Sequence, residues 1–109
     1  MSESEFLELT DRVLDAIGRV LDKSGGDIDW SINEGVLGIE CDDGSKVIVN
    51  RQAANRELWI AARSGGFHYR LQGGVWRDTR SGDEMGAALS RLLETQAGVD
   101  GIEFALPSR

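Results

Sequence analysis

The chain has 109 residues, 28% of them charged and 40% hydrophobic, which fits one globular domain over 1–109 and excludes a disordered chain. Twelve Lys and Arg against 19 Asp and Glu leave a net charge of −7, which sets nucleic acid aside as a partner because phosphate contacts need clustered bases. No apolar run approaches the ~20 residues of a membrane span, the acidic start MSESEFLELTDRV lacks the apolar core of a secretion signal, and a lone cysteine, Cys41, makes neither a disulfide nor a Cys-based zinc cluster, so a reducing, cytoplasmic setting is expected.

The charge is unevenly spread. Residues 1–43 hold 12 acids and three bases, a net −9, while 44–109 carry +2. Within the second part, 46–80 has seven bases against Glu57 and Asp78. An acidic face beside a basic one reads either as an interaction surface for a cation or a basic partner, or as an ordinary solvated surface.

Ser2 and Glu5 form an S-x-x-E capping box ahead of Phe6, Leu9, Val13, Ile17 and Val20. That spacing predicts an amphipathic helix of four to five turns. Gly18 is expected to weaken it by about 1 kcal/mol relative to Ala, and Ser24-Gly25-Gly26 to stop it. From Asp27 the period becomes two: Ile28, Trp30 and Ile32 share one face and the carboxylates the other. Asn33-Glu34-Gly35 is a turn, Val36–Cys41 a second strand with Leu37, Ile39 and Cys41 inward, and Asp42-Asp43-Gly44 a hairpin turn. Lys46–Asn50 is a third strand and Arg51–Arg56 a polar connection. Glu57–Arg63, Phe67–Leu71 and Val75–Asp78 follow as strands, separated by Ser64-Gly65-Gly66 and Gln72-Gly73-Gly74. Ser81 and Glu84 suggest a second capping box before Met85, Ala88, Leu89, Leu92 and Leu93, with Gly98 closing that helix. Ile102, Phe104 and Leu106 alternate in a tail suited to pack on the domain. Short links between strands require antiparallel pairing. The expected fold is therefore α+β: a two-layer α/β sandwich, an antiparallel sheet of about six strands with N- and C-terminal helices on one face.

Chemistry has few places to reside. Glu8, Asp11, Asp15 and Asp22 fall within about 60° of helical arc, opposite the apolar stripe. Asp27 and Asp29 alternate on the strand just beyond, so that Asp22, Asp27 and Asp29 fit one ridge. Clustered carboxylates bind hard or borderline cations, weakly and with water retained where no cage is preformed; the alternative is a solvated helix face. His68 is the only histidine, which excludes a two-histidine metal site and leaves either an ordinary strand histidine or a weak metal or haem ligand. Cys41 reads as a small apolar residue. No G-x-S-x-G, GxxxxGK[ST] or GxGxxG run occurs. Trp59 and Trp76 read either as core or as exposed anchors for a partner.

The blocks GVLGIECDDGSKVIVNRQ (35–52), LWIA (58–61), SGGFHY (64–69) and WRDTRSG (76–82), with SEF near the start and the Asp-Ile-Asp strand, resemble bacterial frataxins of the CyaY type over about residues 4–96. The resemblance implies an iron-binding, non-enzymatic adaptor that tunes sulfur transfer in iron–sulfur cluster assembly. It implies weak Fe²⁺ and Fe³⁺ binding at Asp11, Asp22, Asp27 and Asp29, with Glu8 and Asp15 adding to the ridge. It implies that the ridge, Asp22 and Asp29 included, contacts a basic surface of a cysteine desulfurase, and that Asn50, Arg51, Gln52 and Trp59 face the assembly of desulfurase and iron–sulfur scaffold protein. A family histidine matches His68. The expected state is a monomer, with metal-driven oligomers as the alternative. Iron storage with ferroxidase activity, or haem sensing through His68 or Cys41, are the competing functions; the first needs a fixed dinuclear carboxylate site that surface acids at i, i+3 and i+7 do not pre-organise.

Two departures bear on iron. Gly18-Arg19 stands where many bacterial relatives carry an acidic pair, and Asp22-Lys23 where they carry two aspartates. Fewer or weaker iron sites than in a more acidic relative are therefore expected. Isothermal titration of both proteins with iron checks this, and an equal or greater stoichiometry here would overturn it.

Overall fold

A computed structural model describes residues 1–24 and 28–109. Helix α1 spans Glu3–Lys23. The Ser2 hydroxyl accepts from the Glu5 amide and the Glu5 carboxylate accepts from the Ser2 amide, the reciprocal cap the spacing predicts. Ser24 caps the other end; Gly25 and Gly26, assigned to the stop, and Asp27 lie outside the described residues. Strands β1 (Asp29–Asn33), β2 (Val36–Glu40), β3 (Lys46–Gln52), β4 (Glu57–Ala62), β5 (Gly65–Gln72) and β6 (Val75–Asp78) form one antiparallel meander in chain order. Helix α2, Met85–Ala97, follows and ends at Gly98 in the left-handed region.

Every strand contributes alternate residues to one face. Leu37, Ile39, Val47, Val49, Leu58, Ile60, Tyr69 and Trp76 are buried there with Phe6, Leu9, Val13, Leu14, Ile17 and Leu21 of α1 and Met85, Leu89 and Leu93 of α2. The two helices thus lie on a single side of the sheet, which is the α/β sandwich expected, and the opposite side faces solvent. The tail joins this core. Ile102 and Phe104 are buried, the Trp76 indole donates to the Pro107 carbonyl at 2.9 Å, and the Ser90 hydroxyl donates to the Ile102 carbonyl at 2.5 Å.

The details depart from the sequence expectation where side chains compete with propensity. Gly18 is not merely a weak point in α1: an added Cβ would lie 2.6 Å from Trp30 Cη2, so the bare backbone is the seat of the Trp30 ring. Glu84 itself caps α2, accepting from the Gly86 and Ala87 amides, while Ser81 accepts from the Asp83 amide; the capping box assigned to Ser81 and Glu84 does not form. Strand β3 runs on through Arg51 and Gln52, which the polar connection was expected to take, and the chain turns through a single 3₁₀ turn at Ala53–Asn55 with Arg56 left-handed. Strand β5 begins at Gly65, because Gly65 and Gly66 pair with Ala62 and Ala61. Ile32, assigned to the inward face, is 39% exposed because β1 is an edge strand.

Two outcomes follow from this packing. Gly18→Ala gains helix propensity of about 1 kcal/mol but drives a methyl into the Trp30 ring, and overpacking of that kind costs about 1–3 kcal/mol. Urea unfolding is expected to show a net loss near ~1 kcal/mol, and a gain would contradict the seating of Trp30. Tyr69, the only tyrosine, is 1% exposed. Burial, reinforced by the negative charge of Asp78, pushes its phenol up to about 12. The folded value lies above the unfolded one, so the stability it contributes is whole below pH ~10 and is lost as pH rises from there through about 12. Absorbance at 295 nm should show phenolate appearing near pH 12 in the native chain and near pH ~10 in urea.

Candidate functional site

The four carboxylates expected on the outer face of α1, Glu8, Asp11, Asp15 and Asp22, are exposed as their periodicity requires, and three of them hold a protein partner. Asp11 accepts from the Arg51 guanidinium at 2.5 Å, Asp15 pairs with Arg19 at 2.9 Å, and Asp22 accepts from the Trp30 indole at 2.7 Å. Glu8 lies on the same exposed face. Asp29 does not continue the line of the helix. Strand alternation turns it to the open face of the sheet, in register with Glu40 of β2, itself opposite Lys46 of β3. There Asp29, Glu40 and Asp42 border a shallow recess with Cys41 at its margin. Asp27, a member of the expected ridge, lies outside the described residues.

Among the described residues no group of three His, Cys, Asp or Glu side chains is placed to hold a metal ion. The arrangement can attract cations and exchange them, with water retained in the coordination shell, but offers no closed set of ligands. Ion pairs at this exposure hold weakly: Asp11 and Asp15 keep 66% and 53% of their side-chain surface open to water. A hydrated ion or a basic protein surface therefore competes with Arg19 at small cost, whereas Arg51, 21% exposed and also bonded to the Leu7 carbonyl, is held in place. In the β2–β3 turn, Asp43 is different. The Ser45 hydroxyl, then the Arg63 guanidinium and the Ser45 amide, hold its carboxyl well below the usual carboxylate range.

The sheet-face candidates divide. Asn50, Trp59 and His68 lie in one cross-strand row on the open face, with Gln52 two residues along β3 donating to the Asn50 side-chain oxygen at 3.4 Å. Arg51 alternates to the other side. Its guanidinium reaches the Leu7 carbonyl and Asp11 across the helix layer, and its side chain passes so close to Gly35 that a Cβ there would lie 2.5 Å from Nε. Arg51 thus clamps α1 to the sheet and does not share the surface of Asn50 and Trp59. The Trp59 and His68 rings stack, with centroids 4.2 Å apart and planes within 7°.

Glu57 was not among the expected site residues, yet it lies under this pair, 6% exposed. One carboxylate oxygen accepts from the Trp59 indole at 2.9 Å and the other from Arg70 at 2.6 Å. His68 Nδ1 is 3.9 Å from the first of these oxygens. The available signal was the two-residue spacing of Glu57 and Trp59, which puts both on one face of a strand; burial of the carboxylate depends on Arg70 from the next strand and could not be read from that spacing.

Against known proteins, a family model of the frataxin-like domain matches residues 1–99. This chain belongs to the frataxin-like family. It is similar to the iron–sulfur cluster assembly protein CyaY of Ralstonia nicotianae, at 48% identity over 92% of each chain. It also resembles the frataxin of Psychromonas ingrahamii, a protein described as belonging to the CyaY family, at 34% identity and a TM-score of 0.89, covering 96% of this chain and 99% of that one. Trimeric yeast frataxin complexed with ferrous iron shares the fold, at 24% identity and a TM-score of 0.67 over 90% of this chain and 88% of that one. The membership expected from the 35–52, 58–61, 64–69 and 76–82 blocks is therefore correct, as is the sandwich fold. No helix among the described residues is long and apolar enough to cross a membrane.

Proposed function

We propose that this frataxin-like chain is an iron-binding, non-enzymatic adaptor of iron–sulfur cluster assembly, the process for which its CyaY relatives are named. The observation that carries the reading is the line of exposed carboxylates on α1, open to solvent and, among the described residues, without a closed ligand set. Such a surface suits labile iron and long-range attraction to a basic partner better than it suits storage or oxidation at a fixed dinuclear centre. The partner on this side is a cysteine desulfurase with a basic surface. The open face bearing Asn50, Gln52 and Trp59 is turned to the scaffold protein. Iron at Glu8, Asp11, Asp15 and Asp22 of the helix, with Asp27 and with Asp29 on the open face of the sheet as further ligands, lowers the negative charge of this end of the molecule, and the strength of docking then follows the iron supply.

The test is cysteine-to-cluster turnover by purified desulfurase and scaffold, with and without this protein, over an iron series and at two salt concentrations. The expected outcome is an iron-dependent change in rate that weakens with salt and is lost when Asp22, Asp27 and Asp29 are reversed to Lys. Asp22 also accepts the Trp30 indole bond, so Asp22→Asn, which keeps an acceptor, separates charge from packing. An unchanged rate at every iron level, with the partners otherwise active, would overturn the reading.

A further inference from the structure

The open face of the sheet carries a buried carboxylate, Glu57. Glu57 is at the solvent side of β4, away from the apolar core between sheet and helices, yet only 8% of its side chain is exposed. Its cover is made by Trp59, Arg70 and His68. Taking a carboxylate out of water costs several kcal/mol unless charge and hydrogen bonds replace the hydration. Here one oxygen takes the indole N–H and the other a guanidinium N–H, so both are occupied.

The geometry of the ring pair follows from that arrangement. Stacking alone leaves an indole free to slide and rotate over its partner. A hydrogen bond from Nε1 to an acceptor two residues back on the same strand fixes both the side-chain rotamer and the edge of the ring that faces the sheet. His68, opposite Trp59 in the register, then meets a ring already in place. Arg70 holds the carboxylate from the neighbouring strand, where Glu57 and Arg70 are cross-strand partners.

We propose that Glu57 is a positioning residue. It locks Trp59 flat against His68, so that the open face presents a preformed aromatic platform, flanked by the amides of Asn50 and Gln52, to the protein that docks there. Pre-organisation of this kind removes the ordering cost that a mobile tryptophan would add on binding. The docking half rests on the reading of the open face as the scaffold-binding surface; the locking half is independent of it.

Two measurements separate them. In ¹⁵N NMR the chain gives three indole N–H signals, and Trp30 and Trp76, bonded to Asp22 and Pro107, are internal references. Glu57→Ala is expected to shift the Trp59 signal and speed its exchange with solvent by about tenfold, as loss of one hydrogen bond implies, leaving the other two in place. Glu57→Gln, which keeps an oxygen for the indole but not the charge for Arg70, is expected to restore it. Affinity for the scaffold protein should fall about tenfold in Glu57→Ala and recover in Glu57→Gln. An unchanged Trp59 signal in Glu57→Ala would overturn the proposal. So would a mobile Trp59 with unchanged affinity while Trp59→Ala binds poorly. Should Trp59→Ala bind as well as the natural chain, the docking reading fails, and the NMR result alone decides whether Glu57 locks the ring. Reference signals that collapse in Glu57→Ala would report unfolding; Arg70→Met, which removes only the outer tether, then decides by the same two readouts.

Discussion

The Trp30 indole lying on the bare backbone of Gly18 is the contact on which the acidic edge of the molecule depends. Strand β1 is the first in the sheet, paired on one side only, and short. An edge strand of five residues is held weakly by its ladder alone. The ring fastens it to α1 by shape at Gly18 and by a hydrogen bond at Asp22. Any side chain at position 18 pushes the two elements apart, which explains why a residue poor in helix propensity stands in the fifth turn of a helix. The contact also puts one of the acids under a structural duty: Asp22 serves the fold through its oxygen and the surface through its charge.

A second clamp acts at the other end of α1. Arg51 leaves β3 toward the helix layer and reaches Asp11 and the Leu7 carbonyl. With Gly35 giving way to its side chain, the guanidinium joins helix, strand and the β1–β2 turn. Two of the acids therefore act as fastenings of the helix to the sheet, and the negative charge they lend to the surface is partly answered from within. Farther along the ridge the cation facing Asp15 is the exposed Arg19, so that the field projected there is set by few charges and is easily altered.

The layers and strand pairing were legible because two periods, 3.6 and 2, are uninterrupted along nearly every element: Phe6, Leu9, Val13 and Ile17 on α1, Leu37 and Ile39 on β2, Leu58 and Ile60 on β4 all lie where the pattern puts them. What escaped were features made by contacts far apart in the chain. The exchange of a capping box for Glu84 alone depends on the β6 edge, where Asp78 takes the Asp83 carbonyl and leaves Ser81 outside the helix. The separation of Arg51 from Asn50 and Gln52 follows from strand alternation, but a family match over Asn-Arg-Gln grouped them, and only the continuation of β3 past Asn50 parts them. The acids of α1 were legible as a face, and the alternation of Asp29 with Trp30 already turned it away from the helices; only its grouping with Asp22 in one ridge ran against that alternation.

The meander has a consequence for how the chain comes together. Each strand pairs with the next, so the whole sheet closes by short hairpins and each step costs little loop entropy. The helix layer is different: Phe6 from the beginning of the chain meets Trp76 edge to face, their ring centroids 6.5 Å apart across seventy residues of sequence, and the tail then closes over Trp76 through Pro107. The contacts of longest reach are thus concentrated in one place, the meeting of the two ends of the chain over the sheet. The hairpin turns close only strands adjacent in the chain, whereas the junction of Phe6, Trp76 and Pro107 alone ties the beginning of the chain to its end among these contacts.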